Sequence, residues 1–171
     1  MTKRTIFGCL CFFCVLVSSL MAQADWVSIP AAAFTHGQYQ YPYALWYSTS
    51  GWGVQMESAA WGTLVAPVYF SNADGKMVKR MTAVVGDTST TSKVIVTLYR
   101  VNEWDGSYTE VFSVSSGDAD TYTGRASLAD WTSNARLINN LNYSWWIHAH
   151  FSGTPLEEDK VKLFSVKIKY E

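Results

Sequence analysis

His148-Ala149-His150 holds two of the three histidines in this sequence, and it is the one stretch whose residue types and spacing suit a metal ion. On a β-strand, residues two apart project from the same face, so both imidazoles would stand on one side. A transition-metal site needs more than two ligands, and no histidine follows His150. His36 would join the pair only if tertiary folding brought it there. The expectation is therefore imidazoles on an exposed or partly packed face beside Trp146, with no resident metal. Asp118-Ala119-Asp120 with Gly124 has the opening pattern of a calcium loop. Tyr122 occupies a place where such a loop needs a side-chain oxygen, so an ordinary polar loop without calcium is expected. Glycoside hydrolysis would need two carboxylates facing each other across a bond. Glu57, Glu103, Asp105 and Glu110 supply acids, but nothing singles out a pair. The sequence contains no Gly-x-Ser-x-Gly elbow, no phosphate-binding Gly-x-x-x-x-Gly-Lys and no His-Glu-x-x-His.

Aromatic residues are a stronger signal. All eight tryptophans lie after residue 24, and a domain of this size absorbs only some such rings in its core. Exposed tryptophan and tyrosine faces stack on sugar rings or anchor protein interfaces. Trp46, Tyr47, Trp52, Trp104 and Trp131 sit beside turn residues, where exposure is expected, and these five are the candidate ligand-binding residues. The segment His36 to Trp61 has the densest ring content, with Tyr39, Tyr41, Tyr43, Trp46, Tyr47, Trp52 and Trp61 around Pro42, Gly51 and Gly53.

The elements that must position these residues read as strands. In Tyr143 to Phe151, Tyr143, Trp145, Ile147, Ala149 and Phe151 fall on one face, and Ser144, Trp146, His148 and His150 on the other. Lys93 to Val101 alternates in the same way, with Val94, Val96 and Leu98 opposite Ile95, Thr97 and Tyr99. Asp105-Gly106 separates it from Tyr108 to Val114, where Tyr108, Glu110, Phe112 and Val114 share a parity, and this spacing predicts a hairpin with positive φ at both central residues. With Thr63 to Phe70 and Lys76 to Val85, it predicts four successive strands in a meander. Ser115 to Arg136 is too long for a structureless loop and predicts either a strand near Tyr122 or a short helix over Ala126 to Trp131. In the closing segment, Val161 and Leu163 fall on one parity and Phe164, Val166, Ile168 and Tyr170 on the other. A bulge near Leu163 and Phe164 would turn both sets inward. Trp26 to Phe34 reads as an edge strand limited by Pro30.

Residues 1–24 read as a cleaved secretory signal: Lys3 and Arg4, an apolar run from Ile6 to Leu20, then Ala22-Gln23-Ala24 before Asp25. Cys9, Cys11 and Cys14 all lie within it, so residues 25–171 contain no thiol and depend on a packed core. Removing the signal takes away two basic residues and no acid, leaving 11 basic against 14 acidic residues and a net charge of −3. That balance argues against nucleic acid or an anionic membrane as partner. The local concentration Lys160, Lys162, Lys167 and Lys169 alternates with apolar residues and reads as a solvated strand face. No segment after the signal is long and apolar enough to span a bilayer.

Short strands separated by turn signals predict an all-β chain with a single antiparallel β-sandwich of jelly-roll type over residues 25–171. Ile29-Pro30-Ala31-Ala32-Ala33-Phe34, Leu64-Val65-Ala66-Pro67-Val68, Val94 to Arg100 and Leu163 to Tyr170 together resemble a loose group of small secreted bacterial β-sandwich proteins of unknown function. In that group the turn after the Ala-Pro-Val strand tends to read Pro-x-Gly-Ala, where this chain has Ser71-Asn72-Ala73-Asp74-Gly75. The resemblance implies a fold and export, and carries no catalytic residue across. The function expected is that of a secreted or periplasmic, non-catalytic protein that binds or self-assembles, with another protein, including a second copy of itself as a homo-oligomer, or a glycan as partner. The alternatives are a carbohydrate-binding module using exposed tryptophan and tyrosine, and a metal-dependent, cupin-like enzyme using His148 and His150. The cupin pattern is incomplete, because Glu157 lies too far beyond the pair.

Overall fold

A computed structural model of the protein describes residues 25–36, 45–47, 54–56, 61–89, 91–117, 122–129, 136–152 and 161–171. The strands are β1 (Asp25–Pro30), β2 (Thr35–His36), β3 (Leu45–Tyr47), β4 (Val54–Met56), β5 (Trp61–Val68), β6 (Val78–Asp87), β7 (Lys93–Asn102), β8 (Tyr108–Ser115), β9 (Tyr122–Ala129), β10 (Tyr143–Ser152) and β11 (Val161–Tyr170). A 3₁₀ turn, Ala31–Ala33, links β1 to β2. The strands form two antiparallel sheets. One has the order β3-β4-β11-β6-β9, with β1 also on β11; the other has the order β2-β5-β10-β7-β8.

The pairs β7–β8, β6–β9, β5–β10 and β4–β11 nest inside one another along the chain. That nesting is a long hairpin of paired strands wrapped into two layers, the connectivity of a jelly roll. The sandwich is thus as expected, but the meander is not. β5, β6 and β7 alternate between the sheets, and of the four strands expected in the meander only β7 and β8 pair with each other. Hydrophobic alternation records which way a side chain points and is silent about which strand lies beside it.

Inward positions fill one core. Trp145, Ile147, Ala149 and Phe151 of β10 meet Leu64, Ala66 and Val68 of β5 and Val94, Val96 and Leu98 of β7 in one sheet; Met81, Ala83 and Val85 of β6 face them with Val166 and Ile168 of β11. Phe70 packs edge-on against Trp145 and Tyr170, at 5.2 and 5.3 Å between centroids. The register of β11 on β6 shifts between Leu163 and Ser165. This is the expected bulge: it turns Val161 and Leu163 inward together with Val166, Ile168 and Tyr170. Phe164, the extra residue, is left half-buried over Gly86, where a Cβ would meet its ring at 3.3 Å.

A second bulge was not legible in the alternation. β7 and β8 shift register between Leu98 and Tyr99, so that Leu98 opposes Phe112 and Tyr99 opposes Glu110. Phe112 and Val114 point inward, while Tyr108 and Glu110 are turned to the outer face. The β7–β8 loop also differs from the expected turn. Gly106 alone has positive φ, at 70°, and its N–H reaches the carbonyl of Asn102 at 2.9 Å. The 115–136 stretch holds β9, so of the two alternatives the strand near Tyr122 forms. Pro67 is tolerated in β5 because β2 pairs only with Leu64 and Val65, which leaves Pro67 on an open edge.

The crossover from β6 to β7 is held by a buried carboxylate. Asp87 accepts the Ser89 N–H at 3.0 Å and the Ser116 hydroxyl. Ser89 Oγ in turn accepts the N–H groups of Thr91 and Ser92, at 3.0 and 2.6 Å. These bonds satisfy backbone donors that the change of sheet takes out of the strand ladder.

Candidate functional site

The outer face of the five-stranded sheet gathers side chains from four strands. Ladder pairing sets Pro67, Trp146, Tyr99 and Glu110 in one row, and Val65, His148, Thr97 and Ser113 in the next. Rows on one face are about 6.8 Å apart and strands about 4.8 Å apart, so each row is about 14 Å wide. Tyr69 continues the outward parity of β5, and Tyr108 that of β8 beyond its bulge. Tyr69 and Tyr108 are 77% and 73% exposed, and Trp146 is 40% exposed. Tyr99 lies between them, edge-on to Tyr108 at 5.6 Å and to the His148 ring at 5.9 Å. Burial, with the carboxylate of Glu110 nearby, raises the Tyr99 phenol above its ordinary range, so it remains a neutral hydroxyl at physiological pH.

At the end of this face is a depression of about 330 Å³, between the end of β5 and the start of β10. Tyr69, Tyr143 and Trp146 line it together with the polar groups of Glu103, Asn140 and Ser144; Trp145 and Phe70 also contribute. Its walls are fixed by local bonds. Asn140 Nδ2 donates to the Phe70 carbonyl at 2.9 Å, and the Asn140 N–H donates to Asp74 Oδ1 at 2.7 Å. The Arg100 guanidinium lies 4.1 Å over the Tyr143 ring. Trp145 is only 2% exposed, and its buried indole N–H has no partner among the described residues.

Trp104, 83% exposed in the β7–β8 loop, follows Glu103, which lines the depression. Asn102 and Asn142 hold it: Asn102 Oδ1 accepts its N–H at 2.9 Å, and Asn142 Oδ1 accepts the indole N–H at 3.4 Å. Of the other ring candidates, Trp46 and Tyr47 lie on β3, of which only the backbone is described. Trp52 and Trp131 lie outside the described residues, as do Asp118 and Asp120 of the calcium pattern. Of the expected set, Trp104 is exposed in the loop at the end of this face, and the face itself carries Trp146, Tyr69, Tyr99 and Tyr108.

No family model matches the chain, and no curated protein matches it. Among solved structures it is similar to a xylan-binding module, CBM15, with a TM-score of 0.50 and 12% identity, over 85% of this chain and 95% of that one. It is also similar to a family two carbohydrate esterase from Cellvibrio japonicus, with a TM-score of 0.46 and 10% identity, over 86% of this chain and 34% of that one. At these identities the likeness is one of fold.

His148 and His150 project from the same outer face, as their spacing implies. His150 Nδ1 is bonded to Thr63 Oγ1 at 3.2 Å. Burial, and secondarily the neighbouring His150, holds the His148 imidazole below its ordinary value, so it is neutral at pH 7. Among the described residues no cluster of three histidine, cysteine, aspartate or glutamate side chains could enclose a metal. Both imidazoles point away from the space between the sheets.

Two of the missed residues were within reach of the sequence. The alternation already placed Trp146 outward, and extending the β5 parity by one residue reaches Tyr69. Tyr108 was hidden by the bulge at β8.

Proposed function

We propose that the protein is a non-catalytic carbohydrate-binding module. Its ligand is a neutral, linear polysaccharide laid across the outer face of the five-stranded sheet, with part of it in the depression beside Trp146. The observation that carries this reading is the placement of Tyr69, Trp146, Tyr99 and Tyr108 on one face among small hydroxyl and imidazole groups. A sugar ring presents an apolar C–H face and a rim of hydroxyls, so it suits flat rings alternating with hydrogen-bonding groups. Glu103, Asn140 and Ser144 supply acceptors and donors at the depression. Among the described residues no lysine or arginine lines the depression, which favours an uncharged chain. The sandwich fold is shared with a xylan-binding module, which is consistent with this use and does not by itself assign it.

The test is calorimetric titration with soluble xylan, mixed-linkage β-glucan and glucomannan, followed through the Trp146→Ala and Tyr69→Ala variants. Binding to at least one polymer is expected, with about a tenfold loss in Trp146→Ala. If none of the polymers produces heat or a shift in tryptophan fluorescence, the reading is wrong. It is equally wrong if both variants bind as the parent does.

A further inference from the structure

The outer face of the six-stranded sheet is built from the same alternation and has a different character. Outward positions of β11 include Lys162, Lys167 and Lys169, besides Phe164 and Ser165 at the bulge, and the ladder sets Lys169 beside Arg80 of β6 and beside Trp26 of β1. Trp26 is 50% exposed. The next row carries Ser28 beside Lys167. Neighbours along a strand face are about 6.8 Å apart and across strands about 4.8 Å, so Lys167, Lys169, Arg80 and Trp26 form one compact patch. Among the described residues Glu171 is the acid paired with it, shared between Lys169 at 3.3 Å and Lys79 at 3.9 Å. Lys162, Lys167 and Arg80 form no ion pair among the described residues. A merely solvating face usually mixes both signs, and this one collects positive charge in a chain whose formal net charge is −1.

We propose that this face is a second binding surface, distinct from the aromatic face, and that it takes an acidic polysaccharide whose sugar rings carry carboxylates. Trp26 offers a stacking surface at the edge of the row. Lys169 stands beside it, Arg80 follows Lys169 in the same row, Lys167 lies one row along, and Ser28 adds a hydroxyl. A nucleic-acid duplex, whose bases are stacked inward, would use the cations and leave the indole idle. A uronic-acid chain uses both. The inference stands on observations separate from those of the neutral-glycan face and does not need that reading to hold.

The experiment is affinity electrophoresis in gels containing polygalacturonate or its fully methyl-esterified form, with duplex DNA and phosphatidylglycerol vesicles as comparison polyanions. The protein is expected to be retarded by polygalacturonate, less so as salt is raised, and not by the neutral ester. K167E/K169E is expected to weaken retardation about tenfold. Arg80→Gln and Trp26→Ala should each weaken it by a few-fold, while Trp146→Ala leaves it unchanged. Thermal melts confirm that each variant folds, and Arg80→Gln serves if the double reversal does not. The proposal falls if polygalacturonate gives no retardation. It also falls if DNA or vesicles bind as well and Trp26→Ala has no effect, since charge alone then accounts for binding. A loss in Trp146→Ala would move the site to the other face and equally overturn it.

Discussion

β10 and β11 are both ten residues long, both central in their sheets, and both fill the core from alternate positions. Their outward positions differ: Ser144, Trp146, His148 and His150 on β10 against Lys162, Lys167 and Lys169 on β11, apart from Phe164 and Ser165 at its bulge. The sandwich needs only the inward half of each strand, so the outward half is free to vary, and here one side has become aromatic and nearly neutral while the other is basic. Two adjacent tryptophans make the same point within one strand. Trp145 is packed against Phe70 and nearly sealed, whereas Trp146, one residue on, is open to solvent on the opposite face.

The strongest way to break that contrast is to truncate each of the two tryptophans in turn. Trp145→Ala is expected to cost about 3–5 kcal/mol, read as a large fall in the urea midpoint, and Trp146→Ala less than about 1 kcal/mol. Equal losses would mean that the two faces are not energetically separate. Asp87→Ala comes next, because it strips a buried acceptor from Ser89 and Ser116 where the chain passes between sheets. Chemical denaturation should show a loss of about 2 kcal/mol, and an unchanged midpoint would remove the carboxylate from the account of the crossover. Gly106→Ala places a side chain at a φ of 70° in the loop that holds Trp104. It should cost about 1 kcal/mol, with near-ultraviolet circular dichroism reporting any displacement of the ring.

The smallest effect is one of pH, and it belongs to the aromatic face alone. His148 titrates lower in the folded protein than its ordinary 6.5, so as pH falls through that range the unfolded chain takes up its proton first. The contribution of neutral His148 is therefore complete above about pH 6.5 and shrinks as pH falls below it. The melting temperature should fall between pH 7 and pH 5, and His148→Asn should flatten part of that slope. A variant with the parent's slope would show that burial on this face is too slight to matter.

Much of this was readable beforehand, and specific residues show where reading stopped. The inward and outward sets of β7 and β10, the bulge at Phe164, the strand at Tyr122 and the sandwich itself follow from alternation and turn residues. The aromatic signal pointed to rings beside turns, and Trp104 is one. Alternation puts Trp146 on the correct face, but beside two histidines nothing in its local sequence singles it out. Nothing in Tyr108 to Val114 reveals that Val111 is the extra residue, because the bulge exists only relative to β7.

The order of side chains along the chain determined which of them would be buried and which would meet water, since a strand has a period of two and a core tolerates only one of its faces. Which outward residues would become neighbours was decided by the tertiary structure. Tyr69, Trp146, Tyr99 and Tyr108 come from four strands spread over some eighty residues, and only the nested pairing of a wrapped hairpin lays them side by side. Pairing between distant strands depends on register and layer, which are set by the whole core packing at once and leave no mark in any local segment.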